Sequence, residues 1–217
     1  MAGVSYDNLQ HRQQALIRKM IEGSVFIAPF SATAITTLTD TDKFLKALPA
    51  GYEDIGWLSD NGASLERKVD APEIKSWGAV EPTRTDIISD VTTLKIECQE
   101  TKKATIGLYT GADLTAVTAD PTTAEVDIAK PPRPGIQYHR ALVVGVDLTD
   151  NGELYVGRFL PRCRVTDYDN QDFQAAGDKP LTFGCTLTAY IDSVLGYSER
   201  WLFGGAGWAA LQTQMGF

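Results

Sequence analysis

Two histidines and three cysteines are all this chain offers for imidazole or thiolate chemistry. Histidine is the side chain that ordinarily moves protons near neutral pH, and a thiolate is the usual soft nucleophile or metal ligand. His11 and His139 lie far apart, and neither falls in an H-E-x-x-H or H-x3–5-H spacing, so the pattern of a zinc site is missing. Cys98, Cys163 and Cys185 are also scattered, with no C-x-x-C pair. They read as small buried apolar residues in a reducing compartment. A Cys–His nucleophile pair would have to join His139 to Cys163 or Cys185. The alternation around Cys185 turns it inward, as a core residue.

Carboxylates add little. Asp147-Leu148-Thr149-Asp150-Asn151-Gly152 begins like a calcium loop, but Arg158 stands where the bidentate acid should be. Asn151-Gly152 is instead a strong hairpin signal. Asp167, Asp169 and Asp172 cluster near a strand end, as a weak calcium site or a solvated turn. Gly205-Ala206-Gly207-Trp208-Ala209-Ala210 matches G-x-G-x-x-A, but too little chain follows for the helix, strand and acid of a dinucleotide site. There is no P-loop and no G-x-S-x-G elbow. The sequence therefore predicts no catalytic residues, no metal and no cofactor: not an enzyme.

With 217 residues, 43% hydrophobic and 22% charged, the chain can bury a full core without disulfides or metals. Its net charge of −8 argues against a sequence-independent nucleic-acid binder, which gains affinity by neutralising phosphates. It does not argue against a surface past which DNA slides. No apolar run is long enough to span a bilayer, and the N-terminus lacks a signal-peptide pattern. The expectation is assembly in a cytoplasm.

The elements follow from periodicity. Residues 5–22 predict a helix with Leu9, Leu16, Ile17, Met20 and Ile21 near one face, stopped by Gly23. This N-terminal helical arm (1–23) packs on its own domain or on a neighbour. Strands are expected at 24–29 and 52–58, with a helical turn at 42–47 and Trp57 in the core. Asp60-Asn61-Gly62 should end the second strand. Residues 60–82 form a long excursion, read as an extended hairpin from the alternation in LERKVD and EIKSW. An isolated hairpin is marginal in water, so it needs a partner surface. A strand at 87–98 puts Ile88, Leu94, Ile96 and Cys98 on one face and Ser89, Thr93, Lys95 and Glu97 on the other. A helix at 100–110, with Ala104, Ile106, Leu108 and Tyr109 toward the sheet, stops at Gly111. A short strand at 125–129 and a proline-marked boundary at 131–134 follow. Strands at 138–149, 154–160, 162–169, 181–191 and 197–203 complete a meander, and 204–217 is a tail. The fold class is mainly β: a β-sandwich or partly open barrel with a flanking α-helix, spanning 24–203.

The stretch from Tyr52 to Gly111, with GYEDIGWLSDNG and QETKKATIGLYTGADL at its ends, resembles the major tail tube proteins of long-tailed (siphovirus) phages of actinobacteria. The likeness is looser over 136–203. It implies a β-sandwich with a flanking helix whose sheets join edge to edge in hexameric rings. It further implies that rings stack into a tube in the virion tail, assembled in the host cytoplasm. The lumen would hold the tape measure protein and then conduct DNA, and the tail terminator and distal tail or baseplate proteins would be partners. The loop at 60–82 would bridge rings through Asp60, Leu65, Val69, Ile74 and Trp77. An acidic wall repels phosphate, and the lumen lining is assigned to the polar faces of the two longest strands, Asp90, Lys95, Glu97, Asp147 and Glu153, with Lys95 departing from a purely acidic set. The alternative is a non-catalytic β-sandwich binding module, such as a capsid decoration or carbohydrate-binding protein.

Overall fold

The computed structural model describes residues 3–130, 132, 135–174 and 180–217. Apart from Pro132, the expected proline boundary at 131–134 lies outside the described residues.

In chain order the elements are α1 (Tyr6–Leu9), β1 (Glu22–Pro29), β2 (Glu53–Asp54), β3 (Leu58–Asp70), β4 (Glu73–Ile74), β5 (Arg84–Thr85), β6 (Ser89–Cys98), α2 (Lys103–Thr110), β7 (His139–Thr149), β8 (Gly152–Tyr168), β9 (Phe183–Ala189), β10 (Arg200–Gly204) and α3 (Ala206–Met215). All strands except the short pair β4–β5 belong to one antiparallel sheet of order β2-β1-β7-β8-β9-β6-β3, with β10 also paired to β8. The sheet is open at both ends and strongly curled, so that Val25 of β1 shares a core with Leu94 of β6. That first core also holds Ile27, Ala141, Leu160, Leu187 and Leu108 of α2. On the opposite face of β1, β7 and β8, residues 31–52 lie as a cover. Ile35 and Leu38 there pack with Leu142, Val144 and Phe159 in a second core. The mainly β expectation with a flanking helix holds.

Alternation fails as a guide on β7 because both its faces are covered: Leu142 and Val144 enter the second core, while Val143 packs against the first. Leu148, which has the parity of Leu142 and Val144, is exposed near the turn. The hairpin at Asn151-Gly152 is as expected, with Gly152 at φ +105°. Pro161 does not break the following strand. It sits buried where the β7–β8 register slips, in the bulge position that tolerates a proline inside a sheet.

Other expectations need correction. Residues 5–22 are not a helix: one turn at Tyr6–Leu9 and a 3-10 turn at Gln14–Leu16 are joined by extended chain. Residues near 20 run along β7 instead, with Ile21 donating its N–H to the Val146 carbonyl. Gly23 is no helix stop but a strand residue, where a Cβ would lie 2.9 Å from the Val144 carbonyl oxygen. At 42–47 the backbone forms a tight loop with Lys43 at φ +70°, its amides held by the Asp40 carboxylate. Trp57 is 78% exposed rather than core, because Gly56 at φ +84° ends the two-residue strand before it. Asp60-Asn61-Gly62 does not turn the chain. It is absorbed as a bulge inside β3, with Gly62 at φ +63°. No strand forms at 125–129. Residues 206–215, read as tail, are a helix packed on β8 and β10.

Candidate assembly interface

β6 gives one face entirely to the core: Thr92, Leu94, Ile96 and Cys98 are buried. Among the described residues no second layer covers the opposite face, although Asp169 reaches over Gly184 and Lys95 at its margin. There the register aligns Thr93 with Thr188 and Lys95 with Thr186 on β9, and Thr188 with Arg164 on β8. Ser64, Glu66 and Lys68 of β3 extend the same face and are exposed. The result is a four-stranded unit, β3-β6-β9 and the last part of β8, apolar behind and hydroxyl-rich in front. Thr166 and Thr188 hydroxyls meet at 2.8 Å across it.

This unit has an unsatisfied edge on each side. β3 is the end of the sheet, so one side of its 13 residues has no strand partner. On β8, pairing with β7 stops at Cys163, so 164–168 carry a partner on the β9 side alone among the described residues. Rows of unpaired N–H and C=O groups on exposed strands template pairing with another chain.

Beyond Arg67 and Thr92, β3 and β6 leave the body as a two-stranded arm, tipped by the β4–β5 pair. Its apolar side chains are uncovered: Val69, Ile74, Val80, Ile87 and Ile88 are exposed and Trp77 wholly so. The expected pairing of LERKVD with EIKSW does not occur. The first pairs with β6, and Glu73–Ile74 with Arg84–Thr85. The arm therefore runs from 68 to 91, set later in the chain than the 60–82 loop read from sequence. Of the five residues singled out there, Val69, Ile74 and Trp77 are exposed on the arm, Asp60 lies in the bulge, and Leu65 packs against the first core.

The residues assigned to a lumen do not share a surface. Lys95 and Glu97 stand on the uncovered polar face. Lys95 donates to Asp169 at 3.0 Å, and that hydrogen bond pushes its pKa above the usual lysine value. Asp90 is on the other face by parity, in a bidentate pair with Arg67 that holds its carboxyl below the usual range. Asp147 is reached by Arg18 of the N-terminal segment at 3.9 Å. Glu153 accepts from the Tyr155 hydroxyl near the β7–β8 turn. What sequence reading missed is the threonine row of β9 with Thr166 and Arg164. The signal was present in the alternation of 181–191, whose outward members are threonines.

Cys163 and His139 do not form a nucleophile pair. Cys163 donates its Sγ–H to the main-chain oxygen of His139 at 3.4 Å, not to the imidazole. Burial pushes the Cys98 and Cys185 thiols up to about 12 and Cys163 higher still, so none is a thiolate at neutral pH. No group of three or more His, Cys, Asp or Glu residues is placed to hold a metal ion among the described residues, Asp167 and Asp169 included. Gly205 and Gly207 do open a helix after a strand, but a Cβ at Gly207 would meet the Gly152 carbonyl at 2.6 Å. These glycines allow α3 to press on the β7–β8 hairpin and leave no phosphate cradle. No helix among the described residues is long and apolar enough to cross a membrane.

The solved structures to which the chain is similar include these two. One is a chain of the anti-feeding prophage baseplate, determined by cryo-EM with 6-fold symmetrisation: 14% identity, 83% of this chain and 91% of that one, TM-score 0.44. The other is the crystal structure of Hcp protein: 9% identity, 82% and 98% coverage, TM-score 0.35. No curated protein sequence matches. The family whose profile matches is described as phage tail tube protein, and the match runs over residues 13–202. With most of its length inside that match, the chain belongs to the phage tail tube protein family.

Proposed function

We propose that this structural tail protein is the ring-forming subunit of a siphophage tube, with the β3 edge of one subunit pairing with the 164–168 edge of β8 in the next. The observation that carries this is the four-stranded unit with a free edge on either side and one bare polar face. Edge-to-edge pairing of like units around an axis removes both edges at once and closes a cyclic oligomer. In a hexameric ring the barrel has ~24 strands, more than the number that already leaves an aqueous channel in porins.

In that ring the bare face lines the bore, because the apolar face is already buried under the first core. Lys95 and Glu97 belong to this lining, joined by Thr93, Thr186, Thr188, Thr166 and Arg164. Asp90, Asp147 and Glu153 point elsewhere, so the wall is mostly hydroxyl rather than purely acidic. With Lys95 tied to Asp169, the remaining cations of this face, Lys68 and Arg164, are matched in number by Glu66 and Glu97, and a DNA duplex gains little by releasing counterions there. This suits a conduit that encloses the tape measure protein and later passes DNA without retaining it. The tail terminator and the distal tail or baseplate proteins would cap the tube ends, and assembly would take place in the host cytoplasm.

Negative-stain electron microscopy of concentrated protein, with its light-scattering mass, tests the reading. Hollow rings or tubes are expected. A monomer that persists at high concentration, even when seeded with tail fragments, would sink it.

A further inference from the structure

A groove of about 640 Å³ lies beside α2, walled by Ile27, Leu108, Leu114 and Tyr138. Gly107 and Ala104 of α2 also line it. We infer that this groove is the receptor for the arm tip of a second copy in the adjoining ring, with Trp77 as the inserted side chain. The inference rests on the tube reading.

The strand directions place knob and hole correctly. β6 and β8 both run antiparallel to β9. The arm leaves at the start of β6, and α2 follows its end, so the arm tip and the groove lie at opposite ends of the same strands. A contact between unlike surfaces at opposite ends does not close on itself and repeats along an axis, as a stack of rings requires.

Size, charge and area agree. Sites of ~300–1,000 Å³ hold drug-sized groups, so an indole and a neighbouring valine fit. Trp77 and Val80 are the most exposed large apolar residues of the protein's described part. Lys75, beside Trp77, has no acidic partner among the described residues, and Glu53 on the groove wall has no cationic one there, while Asp113 on the same wall already feels Lys103. One Trp-centred knob covers only a few hundred Å², against the ~1,000 Å² that a specific interface needs. A single contact therefore holds no dimer, while a ring of them acts together through avidity.

The test uses full-length protein carrying Ser76→Cys with Thr115→Cys, oxidised after tube growth, beside each single variant. A covalent ladder that needs both cysteines is expected. Trp77→Ala should raise the concentration needed for tube growth by at least about tenfold, with Trp77→Phe recovering part of it. Wild-type tubes together with double-variant tubes that give no ladder, and normal growth of Trp77→Ala, would overturn the inference while leaving the tube reading intact. A wild-type protein that never forms rings or tubes would remove both.

Discussion

Arg140 donates from its guanidinium to the main-chain oxygens of Phe30, Ala32 and Pro161 and to the carboxylate of Asp192. Asp192 is 1% exposed, and burial pushes its carboxyl up, but the Val194 and Leu195 amides and Arg140 outweigh this and hold it low. Replacing Arg140 by Met would strand that carboxylate, at a cost of about 3–5 kcal/mol in urea denaturation. Because the folded pKa of Asp192 lies below its unfolded value, its contribution is present at neutral pH and is lost as pH falls through the acid range. His139 gives a second acid-side loss. Burial lowers its pKa, so the unfolded chain takes up protons first, and stability falls as pH drops below about 6.5. Melting curves of His139→Gln between pH 7 and 5 should be flatter than wild type. The thiols supply a control: native protein at pH 8 should resist maleimide, while protein in urea should label at all three cysteines.

At the scale of elements, close packing of backbone decides several outcomes. Gly23→Val should weaken the β1–β7 ladder by about 1–3 kcal/mol, since the Val144 carbonyl occupies the place of a Cβ. A Gly23 that only stopped a helix would tolerate the change. The sequence made β6, β9 and α2 legible, because each has one period and a plain boundary such as the αL Gly111. It misled where tertiary context overrode a local signal. The apolar spacing of 5–22 suits a helix, yet the segment is better used along β7, with Met20 over Gly145. Asn61-Gly62 has the composition of a turn but serves as a bulge, because β6 continues to offer a partner beyond it. α3 was hidden by its glycine-rich start. The lumen set was only partly legible: charge could be read from the sequence, but Asp90 has the parity of Leu94, which places it away from Lys95.

For the whole molecule, the free edges set the behaviour. Proline placed singly at 64, 65, 66 and 67 should act by parity: where the N–H points to β6 the subunit is destabilised, and where it points outward the subunit folds normally but cannot close a ring. Circular dichroism and electron microscopy of the set would show the alternation. If every folded variant still closed rings, β3 would not be the joint. The long strand β8 has a further consequence. Its first part, up to Phe159, lies in the second core between β7 and β10, and its last part is the proposed ring edge. One uninterrupted peptide chain thus joins the bore wall to the outer packing of the subunit. A load on the wall, such as bending of the tail, would pass along covalent bonds into the body rather than across a side-chain contact that could slip. The bulge at Pro161, midway, is then the point at which such a beam would flex.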